Sequence, residues 1–221
     1  MKVCVLIPTY NDQETIGNLV AEVRQKGMDA IVIDDGSTDL SSDRAREEGA
    51  IIIKHERNQG KGRALRDGFS FAVKNGYDAV ITMDADGQHS SNDIDMFLQK
   101  GAEKAIDVII GDRMSKTKNM PLIRNAANRL MSSFISFVTG DAVPDTQCGF
   151  KFIKRGVLEK LELFSEKFEI DSEILLKSSK LGFRIHSVPI DTIYKDEESR
   201  IKPIRDTLRF AVFAIRFLVS R

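Results

Sequence analysis

Acidic side chains follow the fourth apolar segment of the sequence at a spacing that suits a divalent cation. Asp84 and Asp86 are separated by one small residue, and Gln88 and His89 come directly afterwards. Carboxylate and amide oxygens suit Mg²⁺ or Mn²⁺, and Mg²⁺ usually divides its coordination between one or two carboxylates and substrate phosphates. The pair therefore indicates a clamp for a diphosphate. The structural alternative is that Asp84 caps a turn and that Asp86 is only solvated.

A second pair of carboxylates, Asp34 and Asp35, ends the second apolar segment directly before Gly36. Glycine permits a tight turn at this point. Asp35 could then accept hydrogen bonds from a nucleobase or a ribose. The alternative is that the polar side chains of this stretch only cap the helix that follows.

A glycine–lysine–glycine stretch, 60–62, precedes a predicted helix. Backbone N–H groups at the start of a helix bind phosphate, so the stretch resembles a phosphate cradle. Its spacing differs from that of a Walker P-loop and from that of a dinucleotide-binding fingerprint. The stretch alone therefore identifies no nucleotide-binding motif.

The elements that position these residues alternate regularly in the first half of the chain. Short continuous apolar segments, typical of strands buried on both faces, are separated by segments with helical periodicity. The predicted strands lie in 3–8, 29–37, 51–55, 77–86 and 107–113, and the predicted helices in 14–27, 38–50, 60–76 and 91–104. This order predicts an α/β fold with a mostly parallel sheet and helices on both faces. Ligands bind at the carboxyl ends of such strands, where the polar residues of five segments would meet.

The second half of the chain is less regular. An amphipathic helix is predicted in 121–140, a loop with a short strand in 141–156, and a strand in 183–191. Another helix is predicted to start at Asp171, which we expect to be its N-cap. No repeat or linker divides the sequence, and 221 residues suit a single domain.

Composition narrows the class of protein. The net charge is zero, so bulk charge gives no indication of nucleic-acid binding. Cys4 and Cys148 lie far apart, and we expect two free thiols in a reducing compartment. The first residues become polar too early for a signal peptide, and no apolar segment approaches the roughly 20 residues needed to cross a bilayer. These features predict a cytoplasmic protein.

Five stretches together resemble the nucleotide-sugar glycosyltransferases of family 2, and within them the dolichyl- or polyprenyl-phosphate mannose and glucose synthases. In order, they are IPTYND, VIDDGSTD, NQGKGRALRDGF, DADGQH and DTQCGFK. The resemblance extends from residue 3 to about residue 215. It implies a GT-A fold, which is a Rossmann-like sheet with a metal site at the D-x-D strand end. It also implies a nucleotide-sugar half, 1–112, and an acceptor half, 113–221.

The same resemblance assigns roles to individual residues on the donor side. It implies a nucleoside pocket formed by Pro8, Tyr10, Asp12 and Asp35. It places the divalent cation, Mg²⁺ or Mn²⁺, on Asp84, Asp86 and Gln88. Ala85 would pack beside the nucleotide, and Lys195 and Arg200 would close over the donor diphosphate.

On the acceptor side, the resemblance implies that Arg113, Arg129 and Ser133 bind the phosphate of a lipid acceptor. The stretch 145–151 would shape the sugar pocket. Asp86, Arg113 and Arg129 are thereby the predicted catalytic residues. The alternative for the two arginines is ordinary surface charge.

The predicted reaction is the inverting, metal-dependent transfer of a hexose from a donor of the GDP-mannose or UDP-glucose type to a polyprenyl phosphate. A cation and basic side chains would stabilise the departing diphosphate, and arginines would position the anionic acceptor. One alternative is transfer to a hydroxyl of a glycan or small molecule, which requires a base carboxylate. Another is a non-catalytic nucleotide-sugar-binding module. The chain has no tryptophan, so it lacks the Q-x-x-R-W motif of processive synthases.

The last residues, 203–221, combine apolar residues at helical spacing with interleaved arginines. One hypothesis is an interfacial helix that lies on an anionic membrane surface, which would bring the enzyme to a lipid acceptor. The alternative is a terminal helix packed against the core.

Overall fold

The computed structural model describes residues 1–116 and 122–191, which form a seven-stranded sheet and seven α-helices. The strands are β1 (Val3–Thr9), β2 (Asp29–Asp34), β3 (Ile51–Lys54), β4 (Ala79–Thr82), β5 (Val108–Asp112), β6 (Lys151–Lys154) and β7 (Ile185–Pro189). Their order in the sheet is β3-β2-β1-β4-β6-β5-β7. All neighbouring pairs are parallel except the two that include β6, which runs antiparallel to β4 and β5.

Helices surround this sheet. They are α1 (Ile16–Gln25), α2 (Ser41–Glu47), α3 (Lys61–Lys74), α4 (Ile94–Gly101), α5 (Leu122–Thr139), α6 (Arg155–Leu158) and α7 (Glu169–Lys180). Successive residues of a strand point to opposite faces of a sheet. In the central strand β1, the consecutive residues 4–7 are all fully buried, so both faces of β1 are covered. The predicted mostly parallel α/β architecture is confirmed.

Strand β6 connects the two predicted halves of the chain. It follows α5 in the sequence and inserts between β4 and β5, with Phe152 opposite both Ile81 of β4 and Ile109 of β5. The residues that precede β6 therefore reach the carboxyl edge of β4, where the D-x-D stretch begins. The nucleotide-sugar half and the acceptor half share one sheet.

Helix α5 has a buried side and an exposed side. Asn128, Ser132 and Ile135 are buried against the rest of the protein, while Arg129 and Ser133 are exposed. This amphipathic pattern agrees with the helix predicted in 121–140. In the part of the chain that the structure describes, no helix is both long enough and apolar enough to span a bilayer.

The predicted N-cap at Asp171 is wrong. Helix α7 begins at Glu169 after Phe168, and Asp171 lies in its first turn with a buried side chain. A carboxylate is stable in this position because two lysines contact it, as described below. The predicted donor contacts of Lys195 and Arg200, and the amphipathic segment 203–221, lie outside the described residues.

Candidate active site

The D-x-D turn follows β4 and is held by contacts to both neighbouring loops. The hydroxyl of Thr15, just before α1, donates to the carbonyl of Ala85. The backbone N–H of Gln88 donates to Asp86 Oδ1 at 2.9 Å. On the other side, a Cβ atom on Gly149 would lie 2.0 Å from Asp84 Oδ2. Only glycine at position 149 therefore leaves room for Asp84.

A chain of alternating charges runs from the D-x-D turn to helix α7. Lys61 Nζ lies 2.6 Å from Asp84 Oδ1 and 3.0 Å from Asp171 Oδ2. Lys151, which is fully buried in β6, contacts the other oxygen of Asp171 and donates to the carbonyl of Cys148. Burial alone would raise the pKa of Asp84, but the charge of Lys61 in contact with it holds this pKa well below its ordinary value. Asp84 is therefore a stable carboxylate.

The second carboxylate of the D-x-D turn has the opposite character. Burial and the negative charge of Asp84 raise the pKa of Asp86 from 3.8 to about 6. Burial lowers the pKa of His89 to about 4, so this imidazole is neutral at pH 7. His89 stacks edge-on against Phe150, with its Nε2 4.0 Å from Asp84 Oδ2. The site thus holds two carboxylates close enough to repel each other.

Two mutually repelling carboxylates with a nearby amide suit a hard divalent cation, which would relieve the repulsion. Across the described ranges 1–116 and 122–191, no group of three His, Cys, Asp or Glu side chains forms a complete metal cage. Mg²⁺ is commonly bound by one or two carboxylates together with water and phosphate, so this donor set fits. Asp84, Asp86 and Gln88 are the residues that could hold the ion.

The predicted nucleoside pocket lies where β1 and β2 end. Pro8 is partly buried within β1, and Tyr10 is exposed beyond it. Asp12 Oδ2 accepts from the Thr9 hydroxyl and from the Tyr10 N–H, both at 2.9 Å. Its backbone N–H donates to Ser41 Oγ at 2.8 Å. Asp12 therefore shapes the turn that would form one wall of the pocket, and its predicted ribose contact stays a prediction.

Asp35 is buried and orders the loop before α3. Its Oδ1 lies 2.7 Å from Nδ1 of His55 and accepts from the N–H of Gln59 at 2.9 Å. Its Oδ2 accepts from the N–H of Gly60 at 2.7 Å. The local sequence around Asp35 does not reveal this scaffolding role, because the partners belong to the third strand–helix connection. Contact between Asp35 and a nucleoside remains a prediction.

The glycines at 60 and 62 have a steric explanation. A Cβ atom on Gly60 would lie 2.3 Å from the carbonyl oxygen of Glu166, and one on Gly62 would lie 2.1 Å from that of Ser165. The N–H of Gly62 donates to Glu166 at 2.8 Å. The two glycines let the loop before α7 pass directly over the start of α3. This contact accounts for the glycines and positions Lys61, while the predicted phosphate cradle stays a prediction.

Arg113 is buried and forms a two-pronged ion pair with Asp145. Its Nε and Nη2 lie 2.6 and 3.0 Å from the two carboxylate oxygens, and Asn128 of α5 donates to the same carboxylate at 2.9 Å. Only 5% of Arg113 is exposed, so the surface-charge alternative is wrong for this residue. The charge of Arg113 also acts to lower the pKa of Asp86. Because β4 and β5 end at the same edge of the sheet with only β6 between them, Arg113 and the D-x-D turn lie at the same edge.

Arg129 and Ser133 occupy the exposed side of α5. They are four residues apart, so their side chains are neighbours on one face of the helix. Asn128, next to Arg129, anchors this part of α5 to the Arg113–Asp145 pair. The structure thus links all three predicted acceptor residues through one helix and one ion pair, while the bound phosphate itself remains a prediction.

Most of the sequence matches a known protein family. The model of the glycosyl transferase family 2 domain matches residues 4–162, which is more than half of the chain. The chain belongs to glycosyltransferase family 2. The predicted family and the predicted hexosyltransferase class of enzyme are confirmed.

Two relatives of this family 2 enzyme cover most of its length. It is 33% identical over 216 residues to the UDP-N-acetylglucosamine–dolichyl-phosphate N-acetylglucosaminyltransferase of Methanococcus voltae, with 87% of this chain and 86% of the relative covered. It is 29% identical over 209 residues to the undecaprenyl-phosphate mannosyltransferase of Micrococcus luteus, with 89% of this chain and 85% of the relative covered.

The fold also has a solved counterpart. Glucosyl-3-phosphoglycerate synthase from Mycobacterium tuberculosis, crystallised with Mn²⁺, uridine diphosphate and phosphoglyceric acid, superimposes with a TM-score of 0.77 at 17% identity. The match covers 99% of this chain and 78% of the synthase chain. At this identity the similarity concerns the fold, and it confirms the predicted GT-A architecture.

Proposed function

We propose that the protein is an inverting, metal-dependent glycosyltransferase that moves a hexose from a nucleoside diphosphate to a polyprenyl phosphate. The observation that carries this proposal is the shared sheet edge: β4 and β5 end at the same edge with only β6 between them, so the D-x-D turn and the buried Arg113 lie at one edge. A cation-binding turn and a buried guanidinium at one strand edge suit a reaction between two phosphate-bearing substrates. The relatives from Methanococcus and Micrococcus are named for dolichyl- and undecaprenyl-phosphate acceptors, which supports this choice.

Each side of the site would contribute a different function. On the donor side, Asp84, Asp86 and Gln88 would hold Mg²⁺ or Mn²⁺, which would supply positive charge to the departing diphosphate. Both ions accompany uridine diphosphate in solved synthases of the same fold. On the acceptor side, Arg113, Arg129 and Ser133 would orient the acceptor phosphate, because arginine matches phosphate with a planar set of donors. Lys195 and Arg200 would close over the donor.

Asp145 is poorly suited to be the general base that a hydroxyl acceptor requires. Both oxygens of Asp145 already accept hydrogen bonds from Arg113, which holds the pKa of this carboxyl below its usual range. Such a carboxylate is a poor general base. A hydroxyl acceptor requires a base, whereas a phosphate is already an anionic nucleophile at neutral pH. Asp145 is therefore better suited to positioning Arg113 than to removing a proton.

The direct test is to incubate the protein with radiolabelled UDP- and GDP-sugars, Mg²⁺ or Mn²⁺, and polyprenyl phosphate, and to measure label in the lipid phase. We expect lipid-soluble label with one donor and none in excess EDTA. Label that appears only on an added glycan or small molecule would favour the hydroxyl-acceptor alternative. Nucleotide-sugar binding without transfer to any acceptor would favour a non-catalytic module.

A second test asks whether Arg129 binds the phosphate of the acceptor. Arg129→Ala should lower transfer to polyprenyl phosphate by about tenfold or more, the effect of one lost charge-assisted hydrogen bond. Slow hydrolysis of the donor by water should fall much less, because water carries no phosphate. Arg155→Ala removes a half-exposed arginine that pairs with Glu159 on α6 and is the control, for which we expect neither rate to change. Equal losses in both reactions would instead assign Arg129 to the donor.

A lipid-linked acceptor requires the active site to approach a membrane. We propose that the enzyme acts at the cytoplasmic face as a peripheral protein, with the segment 203–221 as the membrane contact. The interleaved arginines and apolar residues of this segment support the proposal.

A further inference from the structure

Lys61 places an ammonium group directly against a predicted metal ligand. Its Nζ lies 2.6 Å from Asp84 Oδ1 and 3.0 Å from Asp171 Oδ2, and only 13% of its side chain is exposed. Lysine is seldom so buried unless it is paired with carboxylates. The loop that passes over Gly60 and Gly62 fixes the start of α3 and therefore fixes where this side chain begins.

The charges around Lys61 are nearly balanced before any ligand arrives. Lys61 compensates Asp84, and Lys151 compensates Asp171. The two carboxylates keep Lys61 charged, since they raise its pKa against the effect of burial. Asp86 is the remaining negative charge of this group. A divalent cation that approaches Asp84 would therefore meet an ammonium already in contact with the same carboxylate, and two cations so close repel each other strongly.

We propose that Lys61 is a resident counter-ion of the metal site, which gives up Asp84 to the divalent cation only when a donor diphosphate arrives to accept its ammonium. The inference rests on the proposed function, because it assumes a metal on Asp84 and a diphosphate beside it. The exchange requires only a small movement of the Lys61 side chain, because Asp171 can hold the ammonium throughout. An ammonium has three N–H donors, so Lys61 can keep its contact with Asp171 while another donor turns from Asp84 to phosphate.

This exchange makes metal binding conditional on the nucleotide. Without a diphosphate, the cation must compete with Lys61, so binding is weak. With a diphosphate, the ammonium gains a phosphate partner and Asp84 becomes available. Metal and nucleotide then strengthen each other's binding by the same factor, as linkage requires. Lys61 contributes part of that factor, because the diphosphate removes its competition with the cation for Asp84.

The test measures Mn²⁺ binding by electron paramagnetic resonance, with and without UDP or GDP, for the unmodified protein and for Lys61→Met. Without nucleotide, we expect Lys61→Met to bind Mn²⁺ about tenfold more tightly, because a unit positive charge near the ion has been removed. With nucleotide, its affinity should be no higher than that of the unmodified protein. The ratio between the two affinities should therefore fall by about tenfold.

Two further variants keep the test decisive. Lys61→Gln retains a hydrogen-bond donor for Asp84 without the charge, and it should shift Mn²⁺ binding in the same direction if Lys61→Met does not fold. Lys74→Met removes an exposed lysine from the last turn of the same helix, and it should leave both affinities unchanged. Circular dichroism and thermal unfolding establish that each variant is folded.

The possible failures are separable. Folded Lys61 variants that bind Mn²⁺ without nucleotide no better than the unmodified protein would overturn the counter-ion role. An unmodified protein whose Mn²⁺ affinity is the same with and without nucleotide would also overturn it, while the proposed function would stand. If the unmodified protein binds Mn²⁺ in neither condition, the metal-dependent function fails and this inference fails with it.

Discussion

At the scale of single residues, the two carboxylates of the D-x-D turn differ in what they do to stability. The pKa of Asp86 is raised to about 6 from 3.8, so the folded protein holds this proton more tightly than the unfolded chain does. The ionised carboxylate therefore destabilises the fold above about pH 6, and the effect fades as the pH falls towards 4. A role in cation binding would explain why a carboxylate is kept at position 86 although it lowers the stability of the fold.

Asp86→Asn should consequently remove activity and stabilise the metal-free protein. We expect a higher melting temperature than that of the unmodified protein at pH 8 in EDTA, and a smaller difference at pH 4.5, where Asp86 is protonated in the folded protein. Thermal unfolding at the two pH values measures this directly. A difference that is independent of pH would contradict the raised pKa, and an active variant would contradict the metal-binding role.

The Arg113–Asp145 pair gives a second prediction at this scale. Asp145→Asn leaves a buried guanidinium without its counter-charge, which typically costs about 3–5 kcal/mol. Urea denaturation should show a loss of this size. Asp43→Asn is the control, because Asp43 pairs with Arg46 on the surface, where such pairs contribute about 1 kcal/mol or less. Similar losses in the two variants would mean that burial does not determine the cost.

The sequence predicts the metal-binding carboxylates of this site better than it predicts the charged residues that contact them. Asp84 and Asp86 are recognisable because their types and spacing are local. Lys61 and Asp171 are 110 residues apart, and nothing local shows that they meet. Lys151 was a usable signal, because it lies in a predicted strand beside Phe152 and Ile153 and a buried ammonium requires a carboxylate nearby.

At the scale of elements, the contact between α3 and the loop before α7 depends on glycine. Gly62→Ala would bring a Cβ atom to 2.1 Å from the Ser165 carbonyl oxygen. We expect a loss of about 1–3 kcal/mol, the usual cost of overpacking, measured by urea denaturation. Gly156→Ala in α6 meets open space and should be neutral or stabilising by up to about 1 kcal/mol. A tolerated Gly62→Ala would show that the loop can move away from Lys61.

The elements themselves were largely predictable. The first five strands and their helices have clear periodic patterns, and each appears where the sequence placed it. The position of β6 between β4 and β5 was not predictable, because strand pairing across many residues depends on the fit of whole faces rather than on local preference. The false N-cap at Asp171 has a similar cause, since a carboxylate near a helix start suits both a cap and a buried ion pair.

At the scale of the whole molecule, the membrane contact of 203–221 can be tested without a substrate. The protein should sediment with anionic vesicles, and added salt should release part of it. Removing 203–221 should abolish sedimentation and leave the remaining protein folded. A variant with Arg205, Arg209 and Arg216 changed to Gln keeps the segment and should bind more weakly, by about 1 kcal/mol per arginine. Unfolding of the truncated protein would instead support the core-packed alternative.

The insertion of β6 also has a consequence for how the protein is made. While the chain leaves the ribosome, β4 and β5 are complete about 40 residues before β6 appears, and the gap between them stays open. Strand β4 then presents one unpaired edge and β5 presents two, and unpaired edges are sites for pairing with other chains. Strand β6 then covers the facing edges of β4 and β5 in one step, and the other edge of β5 stays unpaired until β7 is made. Nascent chains that stall within α5 should therefore be the species that chaperones bind and that aggregate most readily.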